Sequence, residues 1–330
     1  MKAIQVPRLG PADVLQLVDL PLPEPGPGQV LVEVAAASVN YIDVLLRQGA
    51  YPVSRELPYI PGVECSGTVE SVAPEVTSVR PGQKVAVIGK HDFLKCYAEY
   101  VVVDAEDITP LPDGVDMDDA AAMPVIYLTA HFMLNAMAHA RKGQTVLIHA
   151  AAGGVGTAAI QLGKLAGLKL IGLTSSDEKA QFALEQGCDH VINYKSEDVA
   201  ARVQQITGGE GVDLSLNSVA GSTFGRDFEM LAPLGQVIWY GAAGGLPTEN
   251  LAELVGAGFG QSKGIRTFVI YSLANRDPTL YARGKQEMVA LLAATKISPP
   301  IHERLPLSEA KRAHTLLESG AVKGKLILRP

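Results

Sequence analysis

The stretch His149-Ala150-Ala151-Ala152-Gly153-Gly154-Val155-Gly156 constrains this chain more than any other, because of its flanks. Upstream, Thr145-Val146-Leu147-Ile148 is a short apolar, β-rich run. Downstream, residues 157–166 carry helical spacing, with Ala158, Leu162, Leu165 and Ala166 expected to pack inward. Strand, glycine turn and helix, in that order, turn a glycine cluster into a phosphate-binding fingerprint. Small residues let the backbone approach a pyrophosphate closely, and the helix aims its free N–H groups and positive dipole end at the anion. A merely flexible turn would need the glycines but neither flank. Gly153, Gly154, Val155 and Gly156 therefore read as a dinucleotide cradle.

The next strand decides which dinucleotide. Lys169-Leu170-Ile171-Gly172-Leu173 would end in Asp or Glu if it served NAD, because that carboxylate accepts the ribose hydroxyls and repels a 2′-phosphate. Here the strand runs into Thr174-Ser175-Ser176, with Lys179 just beyond. Hydroxyls and an ammonium suit a phosphate dianion. Ser175 or Ser176 can equally cap the helix that begins near Asp177, and both readings hold at once. Asp177 argues the other way, but it falls past the strand end, in the first helical turn. The expected cofactor is NADPH.

Two textures divide the chain. Residues 1–122 are punctuated by Gly and Pro and hold short strands, such as Val30-Leu31-Val32-Glu33-Val34 and Cys65-Ser66-Gly67-Thr68-Val69-Glu70-Ser71-Val72. Turn clusters such as Pro23-Glu24-Pro25-Gly26-Pro27-Gly28 separate them, the pattern of an irregular antiparallel β domain. Residues 123–264 alternate strand and helix, with strands expected at 145–149, 169–173, 190–192, 212–216 and 236–240. That alternation predicts an α/β fold with a doubly wound parallel sheet. Residues 265–330 return to mixed texture, with a helix from Leu307 to Ser319 and an apolar strand, Lys325-Leu326-Ile327-Leu328. The simplest layout inserts a nucleotide domain (123–264) into a catalytic domain formed by both chain ends (1–122 and 265–330).

Bulk properties narrow the partners. With 330 residues there is enough chain for two cores. No window approaches the ~18 uninterrupted apolar residues of a membrane span. The opening Met1-Lys2-Ala3-Ile4-Gln5-Val6-Pro7 reads as a strand rather than a signal core. A net charge of −7 argues against a nucleic-acid surface. Cys65, Cys96 and Cys188 are odd in number and far apart, which predicts no disulfide framework and fits a reducing cytoplasm.

The chain resembles the zinc-independent, zeta-crystallin-like quinone oxidoreductases of the medium-chain dehydrogenase/reductase superfamily. The resemblance rests on Asn40-Tyr41-Ile42-Asp43, Leu57-Pro58-Tyr59-Ile60-Pro61-Gly62-Val63-Glu64-Cys65-Ser66-Gly67 and Arg80-Pro81-Gly82-Gln83-Lys84-Val85. Ala150–Gly156, Asn193-Tyr194, Asn217-Ser218-Val219-Ala220-Gly221 and the segment 320–328 continue it in the family's order. It implies a Rossmann domain inserted into a GroES-like, mostly β catalytic domain, and a homodimer. Edge-strand pairing in the nucleotide domain would extend the sheet, and the apolar run Val237-Ile238-Trp239-Tyr240 is compatible with that.

The resemblance also shows what is missing. Zinc-dependent relatives hold catalytic zinc with a Cys where this chain has Asn40 and a His where it has Val63, and neither residue offers the thiolate or imidazole that zinc wants. Their structural-zinc lobe needs closely spaced cysteines, where this chain offers only Cys96; nearby His91 and Asp92 read as a polar surface loop. No metal is expected. Without a Lewis acid a simple ketone is hard to reduce. A quinone needs less help, because reduction yields an aromatic product. The expected reaction is hydride transfer from NADPH to a quinone. Reduction of an enone, enal or enoyl thioester on the same scaffold, or a non-catalytic crystallin-like or RNA-binding role, are the alternatives.

By resemblance, Asn40 and Thr129 would lie near the nicotinamide; the plainer roles are a turn residue and a helix-packing residue. Tyr51 matches a family tyrosine at the pocket mouth and would donate to a substrate oxygen, or simply pack on Pro52. Tyr41 is a second candidate, while Leu45 replaces a tyrosine found in some family members. Tyr194 would lie near the adenosine phosphate. Asn217, Ser218, Tyr240, Gly241 and Ala242 end the fourth and fifth strands, where a doubly wound sheet presents its ligand. Lys325, in the family's terminal Gly-Lys motif, would approach the cofactor; a surface lysine is the alternative. His149 is expected under the glycine loop as a structural residue. The other histidines show no triad or metal spacing, and no Gly-x-Ser-x-Gly elbow supports a hydrolase.

Overall fold

The computed structural model describes residues 1–53, 55–89 and 93–330, so His91 and Asp92 lie outside the described residues. The chain divides into two compact units, Met1–Ile126 with Ala274–Pro330, and Tyr127–Leu273.

In the first unit a seven-stranded sheet runs in the order Ile301–Pro306, Lys325–Arg329, Gln29–Val39, Glu64–Val72, Lys84–Ile88 and Ile108–Pro110, with Tyr100–Asp104 also paired to Gln29–Val39. Every pairing is antiparallel except that of the first two strands. Alternation explains the core: Val30, Val32 and Val34 turn to one face and pack with Val69, Val85, Val87, Leu326 and Leu328. Each such side chain contributes roughly 1.5–3 kcal/mol by leaving water. The strand Lys325–Arg329 inserts between Ile301–Pro306 and Gln29–Val39, with Leu326 opposite Val39. That register brings Lys325 beside Asn40, 285 residues earlier in the chain.

The second unit holds a parallel six-stranded sheet in the order His190–Asn193, Lys169–Thr174, Thr145–Ile148, Val212–Asn217, Leu231–Trp239 and Gly264–Thr267. Counted along the chain this is 3-2-1-4-5-6, the doubly wound order whose direction switches between Thr145–Ile148 and Val212–Asn217. Val146, Leu147 and Ile148 are fully buried, as expected of a strand covered on both faces. The helix Gly154–Leu165 follows the glycine turn.

Three expectations are corrected. Leu165 and Ala166 are exposed, as the last residue and the C-cap of that helix, and its buried face is made by Ala158, Ala159, Ile160, Leu162 and Gly163. The run 237–240 does not form an edge: Gly264–Thr267 pairs with Leu231–Trp239 from outside and is itself the edge strand. Lys325 is not a surface lysine but is 3% exposed. Among the described residues no helix is long and apolar enough to cross a membrane.

Candidate functional site

The carboxyl ends of the parallel strands carry a cradle built from small residues. Ile148 ends the first strand, and the chain reverses through Ala150, which takes φ +48°. Gly153 N–H donates to Ala150 O (2.8 Å) and starts the helix without a side-chain cap. The first N–H groups of that helix therefore have no internal acceptor. A Cβ on Gly156 would stand 2.8 Å from Ala151 Cα, so only glycine lets the helix begin this close to the turn. A half-buried helix start with no side-chain cap fits a diphosphate.

Around the cradle, the second strand ends in Thr174, whose hydroxyl is buried and points to Ser176 O (3.4 Å). Ser176 caps the next helix, its Oγ accepting from Lys179 N–H at 3.3 Å, while Ser175 and Lys179 are half-buried. Asp177 is held at its carboxylate by Asn193 Nδ2 (2.8 Å). Tyr194 follows, half exposed, its N–H donating to Thr174 O (3.1 Å). The acid nearest this strand end is thus engaged by Asn193, and hydroxyls occupy the terminus itself.

The fourth and fifth strand ends are zipped together. Tyr240 N–H donates to Asn217 O (3.0 Å), Ala243 N–H to Ser218 O (3.1 Å) and Gly244 N–H to Val219 O (2.7 Å). Burial pushes the Tyr240 phenol up to about 12, against the effect of its hydrogen bond with Ser218. Gly241 lies half-buried and Ala242 exposed on the same turn. The Asn217 side chain has all its polar atoms engaged: Nδ2 donates to Asp227 and Thr223, and Oδ1 accepts from Val219 and Ala220 N–H. It shapes the loop from within. His149 is buried, and its Nε2 meets the Asp227 carboxylate at 2.8–2.9 Å.

In the first unit, Asn40 is the residue before the helix Tyr41–Gln48. Its side-chain oxygen accepts from Lys325 Nζ (2.6 Å) and its Nδ2 donates to Glu64 Oε1 (2.7 Å), while Lys325 also reaches Glu64 (3.2 Å) and Val39 O (3.1 Å). Glu64 Oε2 accepts from Val125 N–H (2.6 Å). Asp43 takes Asn40 N–H (2.9 Å) and Tyr97 OH (3.3 Å), and Tyr97 OH in turn meets His314 Nε2 (3.3 Å). Burial lifts the Asp43 carboxyl to about 7, the Asn40 N–H and Lys325 pulling down and Glu64 pushing up. Burial, with the Arg47 charge beside it, lowers His314 to about 3.

Tyr51 is half-buried, edge-on to Phe93 with ring centroids 5.7 Å apart, and burial raises its phenol pKa. Thr129 is buried in the helix Pro124–Phe132. Tyr41 is exposed and stands on the first helical turn. Glu64, Asp43, Tyr97, His314 and Asp227 were not singled out from sequence. Only the buried carboxylates at 43 and 64, inside the quoted motifs, carried a signal that could have found them.

Comparison with known proteins is decisive at this point. The profile of the alcohol dehydrogenase GroES-like domain matches residues 26–113, and that of the zinc-binding dehydrogenases matches residues 154–274. The quinone oxidoreductase of Pseudomonas aeruginosa is 37% identical over 330 residues, covering 100% of this chain and 99% of its own. The chain belongs to the zinc-independent quinone oxidoreductases of the medium-chain dehydrogenase/reductase superfamily. Among solved members of the quinone oxidoreductases, the Escherichia coli enzyme complexed with NADPH superposes with a TM-score of 0.92 at 31% identity, covering 100% of both chains. The Pseudomonas syringae quinone oxidoreductase gives 0.92 at 34% identity, covering 100% of this chain and 99% of its own. By the family resemblance, Asn40 and Val63 stand where zinc-dependent relatives carry a cysteine and a histidine ligand of the catalytic metal. The Asn40 amide is committed to Lys325 and Glu64, and Val63 offers no donor, so the residues present do not fit zinc.

Proposed function

We propose that the protein is an NADPH-dependent quinone reductase. The observation that carries the reading is the second strand of the parallel sheet, which ends in Thr174, Ser175 and Ser176 beside the glycine cradle, its nearest carboxylate, Asp177, bonded to Asn193. Phosphate dianions are held by such hydroxyls, by N–H groups at a helix start and by an ammonium, and Lys179 stands within the first turn. Tyr194 would flank the adenosine, and Ser218, Tyr240, Gly241 and Ala242 would line the same edge. The Escherichia coli quinone oxidoreductase of the same fold, complexed with NADPH, supports the assignment.

NADPH, when bound, supplies the hydride. The chain's own groups orient the partners and exclude water. Reduction of a quinone by hydride leaves an oxyanion that must gain a proton. Tyr51, kept protonated by burial, is the donor we assign. Asn40 and Thr129 are the groups we assign to fix the nicotinamide, Asn40 with its amide orientation set by Lys325 and Glu64. A homodimer through the edge strand Gly264–Thr267, and a reducing cytoplasm that keeps the three buried cysteines free, complete the reading.

The test is NADPH oxidation against a panel of quinones, enals, enoyl thioesters and simple ketones. Turnover of quinones is the expected result. Turnover of simple ketones alone would overturn the reading.

A further inference from the structure

The cofactor edge of the second unit contains a buried acid that the reaction itself does not use. Asp227, on the helix Phe224–Met230, is 1% exposed. Its carboxylate accepts three side-chain hydrogen bonds. His149 Nε2 lies 2.9 Å from Oδ1 and 2.8 Å from Oδ2, while Ser215 Oγ and Asn217 Nδ2 each donate to Oδ2 at 2.7 Å. Two of the three donors stand at the root of a ligand-facing loop. His149 is the residue immediately before the φ +48° turn at Ala150, and its own N–H donates to Leu216 O (3.1 Å) on the neighbouring strand. Asn217 opens the loop whose Val219 and Ala220 N–H groups it holds through Oδ1, with Ala220 at φ +54°. Non-glycine residues at positive φ persist only where their surroundings over-determine them. Both strained turns are one side chain removed from the same carboxylate.

We propose that Asp227 is a positioning residue for the dinucleotide: it fixes the glycine turn through His149 and the 217–221 loop through Asn217. The second loop is zipped to the fifth-strand turn, so one buried carboxylate sets three of the backbone segments at this edge. The lever is geometric. A carboxylate presents only acceptors to the three converging partners; an amide in its place keeps one acceptor oxygen and turns an N–H toward another partner, so at least one of the three bonds is lost or must reverse its donor. Charge-assisted bonds of this kind are also the strong ones.

The inference rests on the reading of this edge as the NADPH site. The experiment is therefore NADPH titration followed by nicotinamide fluorescence, without any acceptor, on the whole protein and its variants. Asp227→Asn is expected to weaken NADPH at least tenfold, and His149→Gln and Asn217→Ala several-fold each. The double variant Asp227→Asn/His149→Gln is expected to bind no more weakly than Asp227→Asn alone. Leu168→Ala, a core truncation in the same unit just before the strand Lys169–Thr174 and so at the opposite end of that strand from the cofactor edge, is the control for general destabilisation and should keep NADPH affinity within twofold. If Asp227→Asn does not fold, the His149 and Asn217 variants decide. Unchanged affinity in the folded variants, or an equal loss in Leu168→Ala, would overturn the proposal. Failure of the parent protein to bind NADPH would instead remove the cofactor reading.

Discussion

Lys325 Nζ lies 2.6 Å from Asn40 Oδ1, and both residues are buried. The pair closes on Glu64, so an ammonium, an amide and a carboxylate form one internal cluster. Removing one member of a buried ion pair strands the other charge, at a cost of about 3–5 kcal/mol. Lys325→Met should therefore lower the stability of the protein by that amount, measured by urea unfolding. Adding Glu64→Gln to it should recover part of the loss. Additive losses in the double variant would show that the two charges do not compensate each other.

Lys179→Ala tests the cofactor choice. Hydrogen bonds to a charged group contribute roughly 1.5–3 kcal/mol, or about tenfold to a hundredfold in affinity. The loss should fall on NADPH and leave NADH almost unchanged, because only NADPH carries the 2′-phosphate. Titration of both nucleotides by fluorescence reads this directly, and equal losses would remove Lys179 from the phosphate site.

Much of this architecture is legible in the sequence for a physical reason. Strands buried on both faces must be apolar throughout, so Val146-Leu147-Ile148 and its counterparts announce themselves, and the glycine turn between strand and helix needs no tertiary information. Gly264–Thr267 was missed because an edge strand needs only one paired side, and Gly-Ile-Arg-Thr carries a single large apolar residue. The Lys325 cluster was missed because its partners lie 285 and 261 residues away, brought together by strand register alone. Asp227 was missed in the same way: nothing local marks a helical acid as the partner of a histidine 78 residues earlier.

The Asp43–Tyr97–His314 chain predicts an unusual pH dependence. Asp43 is raised from 3.8 to about 7 in the fold, so its contribution is fully present below pH 3.8 and is lost as pH rises toward 7. His314 is lowered from 6.5 to about 3, so its contribution is fully present above pH 6.5 and is lost as pH falls toward 3. In the shared window the slopes oppose each other, each about 1.4 kcal/mol per pH unit. Asp43→Asn should lose stability relative to the parent as pH is lowered through that window, and His314→Gln should gain. Urea midpoints at about pH 4.5, 5.5 and 6.5 check both signs. Curves parallel to the parent's would mean that the two groups do not titrate in the fold as their burial implies.

Two glycines of one helix separate cofactor binding from stability. On Gly156 a Cβ would stand 2.8 Å from Ala151 Cα and 2.9 Å from Ala151 C, both backbone atoms of the turn. Backbone cannot swing aside, so Gly156→Ala must push the turn away from the helix start, where the diphosphate is proposed to bind. On Gly163 the nearest atom is Leu170 Cδ2 at 2.8 Å, the far end of a side chain that can rotate. Alanine there also gains about 1 kcal/mol of helix propensity, which offsets the repacking. Gly156→Ala is expected to weaken NADPH by more than tenfold, while Gly163→Ala keeps affinity and shifts the thermal midpoint by only a few degrees. Equal NADPH affinity in the two variants would mean that the close approach of turn and helix does not serve the ligand.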